Sequence, residues 1–130
     1  MDQLACAALT ASPKALTAVS DPAKAPDAKM ASGETYAIQR AASGASYVSF
    51  VNLTEHANWH LYFKEPKVLA GITMGGSAEE VPESIATEGC PTELPASYQL
   101  HLHEPGVYTL EVAPGGGDLW AFLVEGEAGH

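Results

Sequence analysis

The last third of the chain constrains its fold more than any other part. Residues 97–124 read "SYQLHLHEPGVYTLEVAPGGGDLWAFLV" and contain three short runs separated by turn residues. In 98–103, Tyr98, Leu100 and Leu102 alternate with Gln99, His101 and His103. In 107–112, Tyr108, Leu110 and Val112 alternate with Val107, Thr109 and Glu111. Successive side chains on a strand point to opposite faces, so each run has one face for a core and one for water. The third run, 119–124, is apolar on both faces, which predicts a central strand. A Pro-Gly pair and a glycine-rich stretch join the three, and such joints predict an antiparallel meander.

The same reading extends upstream. Weaker strands are predicted at 36–40, 46–53, 59–64 and 67–73, with a loop-like, acidic segment over 77–97. About seven short strands with turns every 8–12 residues predict an all-β, antiparallel β-sandwich, with a jelly roll as the neighbouring alternative. Trp59, Phe63, Leu100, Leu102, Tyr108, Leu110, Trp120 and Phe122 are the expected core. Residues 1–32 carry three prolines over 11–32 and no aromatic, and they read as an irregular N-terminal arm or linker ahead of a domain spanning 33–130.

Charge excludes some partners. The net charge is −10, and the excess lies in residues 33–130, where Arg40, Lys64 and Lys67 stand against thirteen acidic residues. Such a body repels phosphate backbones, so nucleic acid is not an expected partner. No apolar run approaches the ~18 residues that a transmembrane helix needs.

Cys6 and Cys90 are the two cysteines, and neither belongs to a C-x-x-C motif. They predict a disulfide tying the N-terminal segment to the body, with a stabilisation on the order of 3–4 kcal/mol for so long a loop. A disulfide implies an oxidising compartment, here periplasmic or secreted. "QLAC" resembles a bacterial lipoprotein cleavage box, with Gln3 where leucine is usual. A lipidated Cys6 is incompatible with the disulfide, so the two readings exclude each other.

The histidines are the residues that point most directly at chemistry. His56 and His60 lie in "HANWHLYF", and His101 and His103 share one face of a strand. Neutral imidazoles paired on a strand face make a platform for Zn²⁺ or Cu²⁺. The expected ligands are His60, His101 and His103, with His56 as a fourth and Met30 or Met74 as soft additions for copper. His60 and His103 can share an ion only if strands 59–64 and 98–103 pair with their polar faces on one side. Against this, an exposed strand face uses histidine as readily as it uses Gln99 or Thr109.

Other chemistry finds less support. No G-x-S-x-G occurs, neither cysteine has a histidine beside it, and the glycine clusters do not open helices after strands. No catalytic residue is expected. Tyr47 and Tyr62, if outward, offer faces on which sugars stack. Asn52-Leu53-Thr54 matches a glycosylation sequon, a short pattern frequent by chance.

"LPASYQLHLHEPGVYTLEV" resembles the closing hairpin of small secreted bacterial β-sandwich modules, including pre-peptidase C-terminal-type domains, and the similarity covers roughly residues 45–124. The resemblance implies an extracytoplasmic accessory module that binds or stabilises and has no catalytic residues. Two functions are therefore expected to compete: a transition-metal site on surface histidines, and a protein- or carbohydrate-interaction sandwich without metal.

Overall fold

In a computed structural model, which describes residues 2–128, the alternating runs become nine strands in two facing sheets among the described residues. The first sheet contains β1 (Lys14–Thr17), β2 (Glu34–Gln39), β4 (Ala57–Phe63), β7 (Ala96–Leu102) and β9 (Leu119–Ala128), in the order β1-β2-β9-β4-β7. The second contains β3 (Ser46–Asn52), β5 (Leu69–Met74), β6 (Ser77–Glu79) and β8 (Gly106–Val112), in the order β3-β8-β5-β6. Every pairing is antiparallel except β1 with β2. The protein is an all-β sandwich.

Alternation decides what fills the space between the sheets. Trp59, Leu61 and Phe63 of β4, Tyr98, Leu100 and Leu102 of β7, and Leu119, Ala121 and Leu123 of β9 turn inward. They meet Val48, Phe50, Ile72, Tyr108, Leu110 and Val112 from the second sheet. Phe50 lies at the join, with its ring centre 4.7 Å from Trp59 and 5.6 Å from Tyr108. β9 is central, flanked by β2 and β4, as its two apolar faces predict.

The expected meander does not form. β7 and β9 belong to one sheet and β8 to the other, so both closing connections cross the sandwich. Gly and Pro mark where a chain reverses. They do not say whether the next strand pairs with its predecessor or packs across from it.

The N-terminal segment is also more than an arm. It forms α1 (Asp2–Ala8), β1 on the edge of the first sheet, and a 3-10 helix over Pro22–Asp27 that packs on β3. Ala5, Ala25, Ala28 and Met30 are buried. Small side chains fit closely against a sheet, and a pattern search that weights large apolar residues passes over them. A Cys6–Cys90 disulfide holds α1 against the outer face of the first sheet. There Tyr62, Phe122 and Val124 form a second apolar cluster with Ala5, Cys90 and Leu94. Trp120 is half-buried beside it, with the Lys64 ammonium 5.3 Å from its ring centre.

Two polar groups are fixed inside this frame. The Arg40 side chain, 1% exposed, donates twice to Glu65 at 2.7 and 2.9 Å and once to the Ala113 carbonyl at 3.3 Å. Gly115 lies against it, and a Cβ there would fall on the guanidinium and force it to shift. Asn52, 0% exposed, is the second. Its Nδ2 donates to the Thr54 and Glu104 carbonyls at 2.8 and 2.9 Å, and its Oδ1 accepts from Trp59 Nε1 at 3.1 Å. The sequon asparagine is thus a buried clamp between the β3–β4 and β7–β8 turns. Replacing Asn52 with alanine strands the buried Trp59 N–H, and a buried donor without a partner costs about 1–3 kcal/mol. Urea unfolding of Asn52→Ala is expected to show about 2 kcal/mol lost, and a change below about 0.5 kcal/mol would contradict the clamp.

Candidate functional site

β4 and β7 pair antiparallel, with Asn58 opposite His101 and His60 opposite Gln99. The strand pairing that a shared histidine site requires is therefore present. Its register is not the one that joins His60 to His103. His103 lies four residues along from Gln99, about 13 Å at ~3.3 Å per residue. An antiparallel pair brings the residue before one strand to the residue after the other, so His103 meets His56 instead.

His56 ends the turn that leads into β4, and its φ of +51° places it in the left-handed region, where histidine is tolerated better than most side chains. In this conformation its N–H donates to the His103 carbonyl at 3.4 Å. The two rings lie edge to face with centres 5.6 Å apart, and His101 approaches His103 at the same distance. All three are exposed. Among the described residues, no three His, Cys, Asp or Glu side chains already converge on a point that could hold a metal ion.

His60 sits in a different environment. Its ring lies near-parallel to Tyr62, with centres 6.5 Å apart, and packs on Gly126 of β9, where a Cβ would come within 3.1 Å of Nε2. Burial lowers its pKa, while the Asp2 carboxylate acts in the opposite direction. Asp2 also accepts from the Tyr62 hydroxyl at 2.7 Å and from the Glu88 N–H at 2.8 Å. Burial, assisted by that carboxylate, pushes the Tyr62 phenol far above its ordinary value. His60 therefore belongs to the packing beneath α1 and not to the histidine cluster.

The remaining expected ligands and platforms are also displaced. Met30 is buried in the core, and Met74 packs on the core with its sulfur close to Gly106. Tyr62 is fully buried, and the Tyr47 hydroxyl contacts Glu111 at 3.5 Å. Of the two tyrosines on which the carbohydrate reading rests, Tyr62 offers no open stacking face, whereas Tyr47 is half-buried.

One feature escapes a reading of motifs. Between the edge strands β7 and β6 lies a cleft of about 330 Å³, bordered by Glu79, Glu80 and Pro82 on one side and by residues 99–103 on the other. It brings His101 and His103 beside two carboxylates from a segment some twenty residues earlier. Only the pairing order, which puts β6 and β7 on the same open side, creates it. No protein-family model matches the sequence, and no curated protein matches it. No helix among the described residues is long and apolar enough to cross a membrane.

Proposed function

We propose that the protein is a non-catalytic binding module of an oxidising, extracytoplasmic compartment, and that it takes a divalent transition metal on His56, His101 and His103. The observation that carries this reading is His103, which has an imidazole 5.6 Å away on each side. Two imidazoles bound to one Zn²⁺ by bonds of about 2.0–2.1 Å have ring centres roughly 5–6 Å apart. The spacing therefore suits joint ligation once the exposed rings turn, and such rings turn within picoseconds to nanoseconds. The disulfide supports the compartment, since such bonds persist where the surroundings are oxidising. The resemblance to secreted accessory modules is in keeping with the compartment and says nothing of the metal.

Calorimetry of tag-free protein with Zn²⁺ or Cu²⁺ tests it. Saturable binding in the micromolar range is expected. His103→Ala should abolish it, and His56→Ala should weaken it at least tenfold. His60→Ala should leave it within twofold. Ligation needs neutral imidazole, so affinity should fall on acidification. No saturable heat with either metal, or a His60→Ala variant that loses binding while His56→Ala keeps it, would refute the assignment.

A further inference from the structure

The edge of the first sheet at β7 is partly unpaired, next to the histidines of the metal reading. Ile85 and Ser97 exchange both backbone hydrogen bonds, N–H to O at 2.9 Å and 2.8 Å. Ile85 lies on the side of β7 away from β4, so Ser97 turns its N–H and carbonyl out of the sheet. Backbone direction alternates along a strand, and Gln99 and His101 therefore present theirs outward as well. Beyond Ile85, no described residue forms a backbone hydrogen bond on that edge. Leu100 and Leu102, between them, are the residues that bond to β4. Two residues thus offer four unmade backbone hydrogen bonds, and both residues line the cleft.

We propose that this edge accepts an extended, basic segment of a partner protein as an added strand, continuing the line that Ile85 begins. Exposed edges are templates for another chain, and main-chain hydrogen bonds supply affinity while alternate side chains supply choice. The charge of the cleft selects the occupant. Glu79 and Glu80 border it, and it has neither lysine nor arginine in its wall. The body around it carries thirteen acidic residues against three basic ones. Of those three, Arg40 is engaged with Glu65 and Lys64 lies over Trp120. A second copy of this chain is disfavoured, because pairing β7 with β7 would bring two such acidic clefts together in a molecule of net charge −10.

The probes are two fluorescent heptapeptides, one alternating valine with lysine and one alternating valine with glutamate. Fluorescence anisotropy is expected to show saturable binding of the lysine peptide, at least tenfold tighter than the glutamate peptide and weakened by salt. At saturation, amide exchange of Gln99 and His101 should slow at least tenfold, and that of Leu100 should not change. His101→Pro removes one of the outward N–H groups at a position where an edge strand tolerates proline, and should weaken binding at least tenfold. If that variant does not fold, Glu79→Lys/Glu80→Lys should produce the same loss through charge. His56→Ala should weaken metal binding and leave the peptide bound, so the two readings fail separately. Unchanged exchange at Gln99 and His101, equal binding of both peptides, absence of binding, or a dimer that protects these amides without peptide would each overturn the proposal.

Discussion

Replacing Cys6 and Cys90 together with alanine is expected to cost up to about 4.5 kcal/mol of stability, the chain-entropy value for a loop of this length. The two cysteines are 84 residues apart in sequence. The crosslink therefore restrains more than half of the unfolded chain. The effect should be local as well as global. α1 has seven residues and cannot persist as an isolated helix. Apart from the disulfide it is held by the burial of Ala5 and by the two hydrogen bonds to Asp2. Without the crosslink, α1 should leave the sheet more often and wet Tyr62 and His60. The Tyr62 phenol should then titrate at lower pH in alkaline spectrophotometric titration. A second readout has a sign that can be worked out. The folded protein holds His60 below its ordinary pKa of 6.5, so it binds fewer protons there than the unfolded chain. That contribution to stability is present above about pH 6.5 and is lost as pH falls through the lower folded value. The double variant should lose part of this acid sensitivity. A stability change below about 1 kcal/mol, with Tyr62 unmoved, would show that α1 docks without its crosslink.

How far the sequence could be read depended on which kind of information a feature needs. Faces were legible, because alternation is a property of one strand. Leu100 and Leu102 turn inward and His101 and His103 outward, as the period of two requires. The central place of β9 was legible from Trp120, Phe122 and Val124, which are apolar on a face that a solvent-exposed strand would make polar. Sheet membership was not legible, because the Pro105-Gly106 joint looks the same whether β8 pairs with β7 or crosses to the other sheet. Register was not legible either. One strand's sequence places His60 on the outer face, but only the Asn58–His101 pairing shows that His56, and not His60, reaches His103. The cover over Tyr62 was hidden for a third reason. It is made by alanines and a disulfide in a segment whose composition is that of a linker. The cleft at Glu79 and Glu80 needs all three kinds of information at once.

Leu110→Ala should be the most destabilising single truncation in the second sheet, at about 3–5 kcal/mol within the 2–5 kcal/mol typical of a buried leucine. The reason is the position of β8. Leu110 is 0% exposed, with Val48 opposite it on β3 and Ile72 opposite it on β5. Both neighbours are themselves buried, and both strands are hydrogen-bonded to β8. A strand held on two sides cannot move inward to close the space left by the lost carbons, so most of the cavity stays open. The cost of a cavity grows with the volume that does not collapse. Thr109 provides the internal comparison, since it lies one residue away on the opposite face and is half-buried. Thr109→Ala should cost less than about 1 kcal/mol, as surface substitutions away from special features do. Equilibrium urea unfolding of the two variants should give equal m-values and separate midpoints. Equal midpoints would mean that the two faces of β8 are packed alike, and the assignment of Leu110 to the interior of the sandwich could not stand.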